Sequence, residues 1–300
     1  MLYDIGLKIL HEYESPASGG RHLLRLMPAD LPGEQRLVAG HLNIEPQPAE
    51  RREGTDFFGN PTVEIAYRFP HDEIRFEVQA RVERLAEAPV LNMSPCLGGL
   101  VREIGCVRSL GSEAPIHFTG RSDRVRLNAE MTAFARELVG PDMTVVDAVR
   151  AIGTGLHEAM RYDPEATTVE TTAEEAFRRR HGVCQDYSHI MIACLRGIGI
   201  PAGYVSGFLR TIAPEGQARL EGADAMHAWV RAWCGVETGW IEFDPTNSMF
   251  VDTDHIVIAR GRDYSDVAPV KGVLRSAGRQ STDHSVDVVP VAVSRKISAA

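Results

Sequence analysis

The sequence carries one cysteine in a setting that suits nucleophilic chemistry. Gly182 interrupts a predicted helix, and the apolar residues that follow Cys184 predict a new helix beginning at or near it. These apolar residues are Ile190, Cys194 and Ile198. The unpaired N–H groups and the dipole of a helix N-terminus favour the thiolate, which is the nucleophilic form of cysteine. We therefore predict Cys184 as a nucleophile whose backbone N–H could also bind an oxyanion.

A thiolate nucleophile needs an imidazole partner, and His227 is the leading candidate. His227 opens one predicted strand and Asp244 ends the next, with a short connection near Gly235 and Val236 between them. In a hairpin centred there, residue i faces residue 471 − i, so His227 lies opposite Asp244. Opposed side chains share a face, with Cβ atoms about 5 Å apart. The spacing thus predicts a pair in which the carboxylate orients the imidazole and stabilises the imidazolium.

Two other histidines and a second cysteine lie near the predicted nucleophile but fit less well. His181 lies three residues before Cys184 and His189 five after it. Neither spacing directs an imidazole at a thiol on the first helical turn. Cys194 lies on the apolar face of the predicted helix, so we expect it to pack in the core.

The remaining polar and aromatic residues of these segments have structural interpretations. Asp186 is expected to complement the positive end of the helix, without a chemical role. Residues 252–255 form a short acidic cluster, which lacks the spacing of a calcium loop and is predicted to be a solvated turn. The tryptophans of the predicted hairpin are expected to pack or to line a cleft. They are Trp229, Trp233 and Trp240.

The first part of the chain, which must support these residues, has the pattern of a β domain. Apolar and polar residues alternate over residues 3–9, 38–44 and 74–82, as is typical of half-buried antiparallel strands. Residues 56–61 contain Gly, Asn and Pro and predict a turn. We predict an all-β, sandwich-like N-terminal domain over residues 1–90.

A connector and a helical segment are predicted to follow this domain. Residues 91–124 are interrupted by Pro, Gly and Ser, which predicts a connector over the surface. Apolar residues then recur at helical spacing. Thr144 is a predicted helix cap, and Thr172 with Glu175 three residues later predicts a capping box.

The pattern returns to strands after the helices, so we expect an α+β core with its helices first and its sheet after them. The predicted strands cover residues 202–209, 225–233 and 239–243. We assign this core to residues 125–270. Residues 271–300 are predicted to form a C-terminal strand and tail.

The composition describes a globular chain and narrows the possible partners. The 300 residues are 44% hydrophobic, enough for one large core or two smaller ones. With a net charge of −9, the chain lacks the basic surface that binding to nucleic acids or anionic membranes needs, so we expect neither partner.

Location and cofactors can also be predicted from residue types. Asp4 and Lys8 interrupt the apolar stretch that a secretory signal would need, and no segment is long and apolar enough for a membrane span. A cytoplasmic location is therefore expected. The five cysteines include no CxxC pair, which argues against a disulfide framework and a structural zinc site, and we predict neither a metal nor a cofactor.

Three segments, in this order, resemble the Cys, His and Asp motifs of the transglutaminase-like superfamily of papain-type thiol enzymes. They are Gly182–Asp186, His227–Trp229 and Gly239–Thr246. The N-terminal strands, with Phe57–Asn60 in their turn, are similar to the bacterial transglutaminase-like N-terminal region.

This resemblance implies a fold and a set of roles. The fold is a papain/transglutaminase-like core of helices packed on an antiparallel sheet, preceded by the β domain. The implied roles are nucleophile for Cys184, general base and acid for His227, and orientation of the histidine for Asp244.

The same residues support acyl transfer from a peptide or glutamine-type amide through a thioester. Attack by water would make the protein a cysteine peptidase or amidase, which we favour by analogy. Attack by a lysine-type amine would instead make it a cross-linking transglutaminase. A non-catalytic binding scaffold is a further alternative. A peptide or protein substrate is expected, and the sequence does not predict the oligomeric state.

Overall fold

The computed structural model describes residues 1–85, 91–168, 171–211 and 224–291. The strands, in chain order, are β1 (Leu2–Leu24), β2 (Gln35–Glu45), β3 (Glu50–Thr55), β4 (Pro61–Arg84), β5 (Arg161–Tyr162), β6 (His181–Gly182), β7 (Ala202–Leu209), β8 (Ala225–Trp233), β9 (Trp240–Asp244), β10 (Met249–Phe250), β11 (His255–Gly261), β12 (Val270–Leu274) and β13 (Gln280–Pro290). The helices are α1 (Leu97–Cys106), α2 (Ala129–Leu138), α3 (Val145–Ala159), α4 (Ala173–Arg179), α5 (Cys184–Gly197) and α6 (Tyr264–Val267).

The first strands form an antiparallel sheet, here called the N-terminal sheet. Its strand order is β12-β1-β4-β2, with β13 also paired to β1 and β3 to β4. The apolar residues of positions 3–9 and 74–82 are buried, as their alternation predicts. Val38 is an exception with 46% exposure, because the register shifts between Leu37 and Ala39 and turns this residue outward.

The C-terminal strands complete this sheet. Strand β12 pairs with residues 20–24 of β1, and β13 pairs with residues 3–13 of the same strand. The predicted C-terminal strand is therefore present, and the N-terminal sheet is not built from residues 1–90 alone. Residues 292–300 of the predicted tail and residues 86–90 lie outside the described ranges.

The predicted connector contains regular structure. Helix α1 occupies residues 97–106, and a 3₁₀ turn covers residues 115–118. The sequence analysis did not predict helix α1, which buries Leu100 despite its glycines. Gly99 is required there because a Cβ would lie 2.7 Å from the Cβ of Pro95. The division into domains stays a prediction.

Helices α3 and α4 begin where the capping patterns predict. The Thr144 hydroxyl accepts a hydrogen bond from the backbone N–H of Asp147 at the start of α3. At α4, the Thr172 hydroxyl accepts from the Glu175 N–H, and the Glu175 carboxylate accepts from the Thr172 N–H, which completes the capping box. Within the described ranges, no helix is both long and apolar enough to cross a membrane.

A second antiparallel sheet follows the helices, in the order β10-β9-β8-β7-β11, and is here called the five-stranded sheet. Helix α5 packs against β7 and β8 and against helices α2, α3 and α4. The predicted α+β order, with helices before the sheet, is confirmed. This packing sets the start of α5 against the strands that carry the other predicted site residues.

The N-terminal sheet also encloses a group of histidines. His22 and His71 are buried, and His22 is 6% exposed. Burial, with a smaller effect of the neighbouring His11 and His71, lowers the pKa of His22 to about 4. The neutral imidazole is therefore the form that fits the fold.

We expect His22 to make folding stability depend on pH. In the unfolded chain His22 takes up a proton near its ordinary pKa of about 6.5, whereas the folded chain resists protonation until about pH 4. The contribution of neutral His22 is thus complete above pH 6.5 and is lost as the pH falls toward 4. It is on the order of 2 kcal/mol once solvent screening is allowed for.

Thermal unfolding followed by circular dichroism between pH 7 and pH 4 tests this expectation. The fall in Tm over that window should be shallower for His22→Gln than for the unmodified protein. Parallel Tm profiles for the two proteins would contradict it.

Candidate active site

Cys184 is the first residue of helix α5, as the sequence predicts. Helix α4 ends at Arg180 in the left-handed conformation, with φ 58°. The next two residues, β6, pair in parallel with β5, and the Arg161 N–H donates to the Arg180 carbonyl at 2.8 Å. The thiol is therefore held at a helix N-terminus by a short, anchored connection, and it is partly exposed.

Asp186 fixes the first turn of this helix. One oxygen of its buried carboxylate accepts from the Val183 N–H at 2.9 Å and from the Thr167 hydroxyl at 2.7 Å. Burial raises the pKa of Asp186, and these hydrogen bonds oppose that effect. A Cβ at residue 182 would lie 2.7 Å from that same Asp186 oxygen, so the position requires Gly182. Asp186 thus acts as a structural cap, in agreement with its predicted role.

His227 lies near the start of β8 and is 9% exposed. Its neighbour across the ladder on β7 is Gly207, where a Cβ would collide with the Ile256 carbonyl and the Trp229 ring at 2.2 and 2.3 Å. The His227 Nε2 is 2.7 Å from an Asp244 carboxylate oxygen, and Cys184 is among the groups that raise the pKa of this ring. Because Nε2 is engaged with Asp244, Nδ1 is the ring nitrogen that is left to interact with the thiol.

The predicted hairpin register is wrong by two residues. Trp233 faces Trp240 and residue i faces 473 − i, so Asp244 is in register with Trp229 and not with His227. The longer connection is closed by the Cys234 N–H, which donates to the Gly239 carbonyl at 2.8 Å. A shift of two keeps the side-chain alternation, so His227 and Asp244 still share a face and meet diagonally.

Asp244 is fully buried and accepts several hydrogen bonds. One oxygen accepts from the backbone N–H groups of Thr246 and Asn247 at 2.9 and 3.2 Å. The other accepts from His227 Nε2 at 2.7 Å, Asn247 Nδ2 at 2.7 Å and His255 Nε2 at 3.2 Å. Burial alone would raise the pKa of Asp244, but these donors outweigh it and hold the pKa well below its usual range.

The charge on Asp244 in turn determines the state of His227. Burial alone would lower the pKa of His227, but the hydrogen bonds and charges of Asp244 and Cys184 outweigh it and raise the pKa to about 10. The imidazolium is therefore the favoured form at neutral pH. Such a cation beside a sulfur stabilises a thiolate.

The two alternative histidines and the second cysteine have partners outside the proposed catalytic group, as their spacing from Cys184 predicts. His181 is 3.8 Å from Asp163, and His189 accepts a hydrogen bond from the Tyr264 N–H at 3.2 Å. Cys194 is fully buried in the core, and burial raises its pKa to about 12. The structure thus brings together Cys184, His227 and Asp244 and leaves these alternatives apart.

The predicted solvated turn at residues 252–255 is wrong for two of its members. Asp254 accepts from the Tyr3 hydroxyl at 2.8 Å and from Arg210 Nε at 2.7 Å. His255 is fully buried and contacts Asp244. The acidic composition of the segment concealed this role. The signal was the continuous apolar run over residues 256–259, which predicts a buried strand, β11, with His255 as its first residue.

Asn247 is a second residue that the sequence analysis did not identify. Its side chain and backbone both donate to Asp244. The Asp-Pro-Thr-Asn order is typical of a turn in which the first side chain accepts from the N–H groups that follow, and could have indicated it.

Two of the tryptophans are buried, which agrees with their predicted packing role. Trp229 lies 6.1 Å from the His227 ring and 5.2 Å from the His255 ring, between centroids. Its indole N–H donates to Glu242 at 2.6 Å. Trp233 is buried, whereas Trp240 is partly exposed and lies under the Arg231 guanidinium.

His227, Asp244 and His255 also have the residue types of a metal site, and their donor atoms all lie within 4.8 Å of one another. Both imidazoles direct Nε2 at the same carboxylate oxygen, at hydrogen-bond distances. Hydrogen bonding therefore accounts for the cluster. That the site uses no metal stays a prediction.

Comparison with known proteins agrees with this arrangement. Residues 132–245 match the Transglutaminase-like superfamily, and residues 3–83 match the Bacterial transglutaminase-like N-terminal region. An uncharacterized Mycobacterium tuberculosis protein is 35% identical over 263 residues, which cover 85% of this chain and 82% of that protein. An uncharacterized Mycobacterium leprae protein is 30% identical over 294 residues, covering 95% and 99%.

A solved structure shares the fold. It is described as "a Putative Cysteine Protease from Cytophaga hutchinsonii" and superposes with a TM-score of 0.71 at 20% identity. The match covers 98% of this chain and 91% of the other. At this identity the likeness concerns the fold.

We expect Asp244→Asn to lower the pKa of His227. The substitution removes the negative charge but leaves the ring buried, so the pKa should fall from about 10 to its ordinary value of 6.5 or below. NMR titration of the His227 ring measures this directly. Alkylation of Cys184 by iodoacetamide at pH 6 should also slow by about tenfold or more, because each unit of pKa represents about 1.4 kcal/mol.

Asp252→Asn is the matched control, since the Asp252 side chain is half exposed and contacts His255 and not His227. It should leave the His227 titration near pH 10. Retention of that titration in a folded Asp244→Asn variant would contradict the expectation.

Proposed function

This chain belongs to the transglutaminase-like superfamily, and from that membership we propose that it is a cysteine-dependent acyl-transfer enzyme acting on peptide or glutamine-type amides. The observation that carries the proposal is a cysteine at a helix N-terminus whose interacting imidazole, His227, is bonded to a buried carboxylate at 2.7 Å. The coarser assignment, a thiol-enzyme-like protein of this superfamily, has the support of the family match and of the shared fold.

The proposed first half-reaction forms a thioester. The Cys184 thiolate attacks the amide carbonyl carbon, which forms the C–S bond and places the negative charge on the carbonyl oxygen. The backbone N–H of Cys184, at the first position of α5, has no acceptor one turn earlier in the helix and can donate to that oxygen. The intermediate then collapses, the C–N bond breaks, and the proton on His227 Nδ1 passes to the departing amine or ammonia.

The second half-reaction releases the acyl group. His227, now neutral, takes a proton from the incoming nucleophile, which attacks the thioester and frees the Cys184 thiolate. Asp244 keeps its charge throughout and stabilises the imidazolium each time it forms. Water as the nucleophile gives hydrolysis, and a primary amine gives transamidation.

We favour hydrolysis, which would make the protein a transglutaminase-like cysteine peptidase or amidase. The support is that the Cytophaga hutchinsonii protein, whose match covers nearly the whole of this chain, is described as a "Putative Cysteine Protease". Cross-linking transglutaminase activity is the alternative that the superfamily name itself suggests. The cytoplasmic location and the lack of nucleic-acid and membrane partners stay predictions.

A panel of casein and glutamine peptides, with and without an added primary amine, tests the reaction. We expect new amino termini or released ammonia to exceed incorporated amine. Amine incorporation that outruns cleavage would instead establish the transglutaminase alternative. Absence of any turnover, with equally slow alkylation of all cysteines, would favour a binding scaffold.

Substitution of the nucleophile is the second test. Cys184→Ala should abolish every product, by a factor of at least about 1,000, because no other group can form the thioester. Its Tm should change little, since the thiol is at the surface of the core. Cys106→Ala removes an exposed cysteine and is the matched control, with turnover unchanged. Residual turnover in Cys184→Ala near the unmodified rate would exclude Cys184 as the nucleophile.

A further inference from the structure

Asp244 lies between two imidazoles. His255 Nε2 is 3.2 Å from the same carboxylate oxygen that His227 Nε2 approaches at 2.7 Å. His255 has no exposed surface, and neither has Asp244. The reaction outlined above uses only one of these rings, so the second has no chemical task in it.

We propose that His255 is a positioning residue, which donates its Nε2–H to Asp244 and so holds the carboxylate in the orientation that receives the His227 N–H. This inference rests on the proposed function of Cys184, His227 and Asp244. It assigns His255 no contact with substrate, since the ring has no exposed surface.

The strand order explains why such a contact is needed. Asp244 ends β9, whereas His255 opens β11, and strands β8 and β7 lie between them in the sheet. In a flat sheet strands so placed would be about 14 Å apart. The His255–Asp244 contact therefore forms only because the sheet curls, and it ties together the two strands that the curl brings close.

The other donors to Asp244 cannot replace this tie. Thr246 and Asn247 belong to the turn that follows Asp244 and move with it. His227 is the ring that must be oriented. Within the described ranges, His255 is the hydrogen-bond donor that holds Asp244 from outside its own turn and from outside the proposed catalytic pair.

His255 is itself held from both ring nitrogens and from its neighbours. Its Nδ1 lies 3.3 Å from the Asp252 carboxylate, and the Trp229 ring packs edge-on against it. Burial alone would lower the pKa of His255, but the hydrogen bonds to Asp244 and Asp252 outweigh it and raise the pKa. Both the imidazolium and the neutral tautomer with its proton on Nε2 can donate from this nitrogen to Asp244.

The N-terminal sheet supports the strand that carries His255. The Gln35 side chain bonds to both backbone groups of Val257, at 2.8 and 2.9 Å, and the Tyr3 hydroxyl donates to Asp254 at 2.8 Å. These contacts fix β11 on either side of His255. Through this residue the N-terminal sheet contributes to the geometry of the candidate site.

The test uses iodoacetamide, which reports on Cys184 without knowledge of the substrate. Alkylation at each cysteine of the full chain is followed by peptide mass spectrometry from pH 5 to pH 9. His255→Leu removes the donor, and we expect alkylation of Cys184 at pH 6 to slow about tenfold or more, with the acid limb displaced to higher pH. His255→Gln keeps an N–H donor of similar reach and should restore most of the rate.

His22→Gln is the matched control, because it removes another buried histidine, in the N-terminal sheet. It should change Tm without moving the alkylation profile. An unmoved profile in folded His255→Leu would overturn the inference. If His255→Leu does not fold, His255→Asn replaces it. Its amide is one carbon shorter than that of Gln, so it should reach Asp244 less well, and alkylation of Cys184 should be slower than in His255→Gln.

The same measurements separate failure of this inference from failure of the proposed function. If the unmodified protein shows no preferential alkylation of Cys184 at pH 6, the proposed function fails. If it shows that preference and the His255 variants keep it, only the positioning role is lost.

Discussion

The arrangement depends on a charged carboxylate, Asp244, that has no exposed surface. An isolated carboxylate would cost several kcal/mol to bury, and in practice it would take up a proton. Asp244 avoids this because its two oxygens accept hydrogen bonds from its own turn and from two imidazoles. The negative charge is thereby kept 2.7 Å behind His227, where it favours the imidazolium.

A similar solution holds the other half of the candidate site. Asp186 is buried at the start of α5, and its carboxylate accepts from Val183 and Thr167. Each of these two acids is satisfied by nearby groups, and each fixes the end of a regular element. Asp186 fixes the start of α5, which carries Cys184, and Asp244 fixes the end of β9, from which it bonds to His227. Regular elements therefore carry the reactive groups, and the turns at their ends hold the two acids in place.

The two sheets are linked by the same requirement. One donor to Asp244, His255, lies outside the turn that follows Asp244 and belongs to strand β11. The curl of the five-stranded sheet brings β11 within hydrogen-bond distance of Asp244. Strand β11 is in turn bonded to residues of the N-terminal sheet, among them Gln35 and Tyr3. The N-terminal sheet is thus part of the support of the site.

The sequence by itself determined the local features of this protein. It indicated the helix start at Cys184, the caps, the buried faces of the strands, and the shared face of His227 and Asp244. All of these depend on periodicity within a short window, and a two-residue error in register leaves a shared face unchanged. Only the tertiary structure decided the true register, the strands that complete the N-terminal sheet, and the contact of His255 with Asp244. These depend on sheet curvature and on the closure of long loops, which bring together residues that no local window contains.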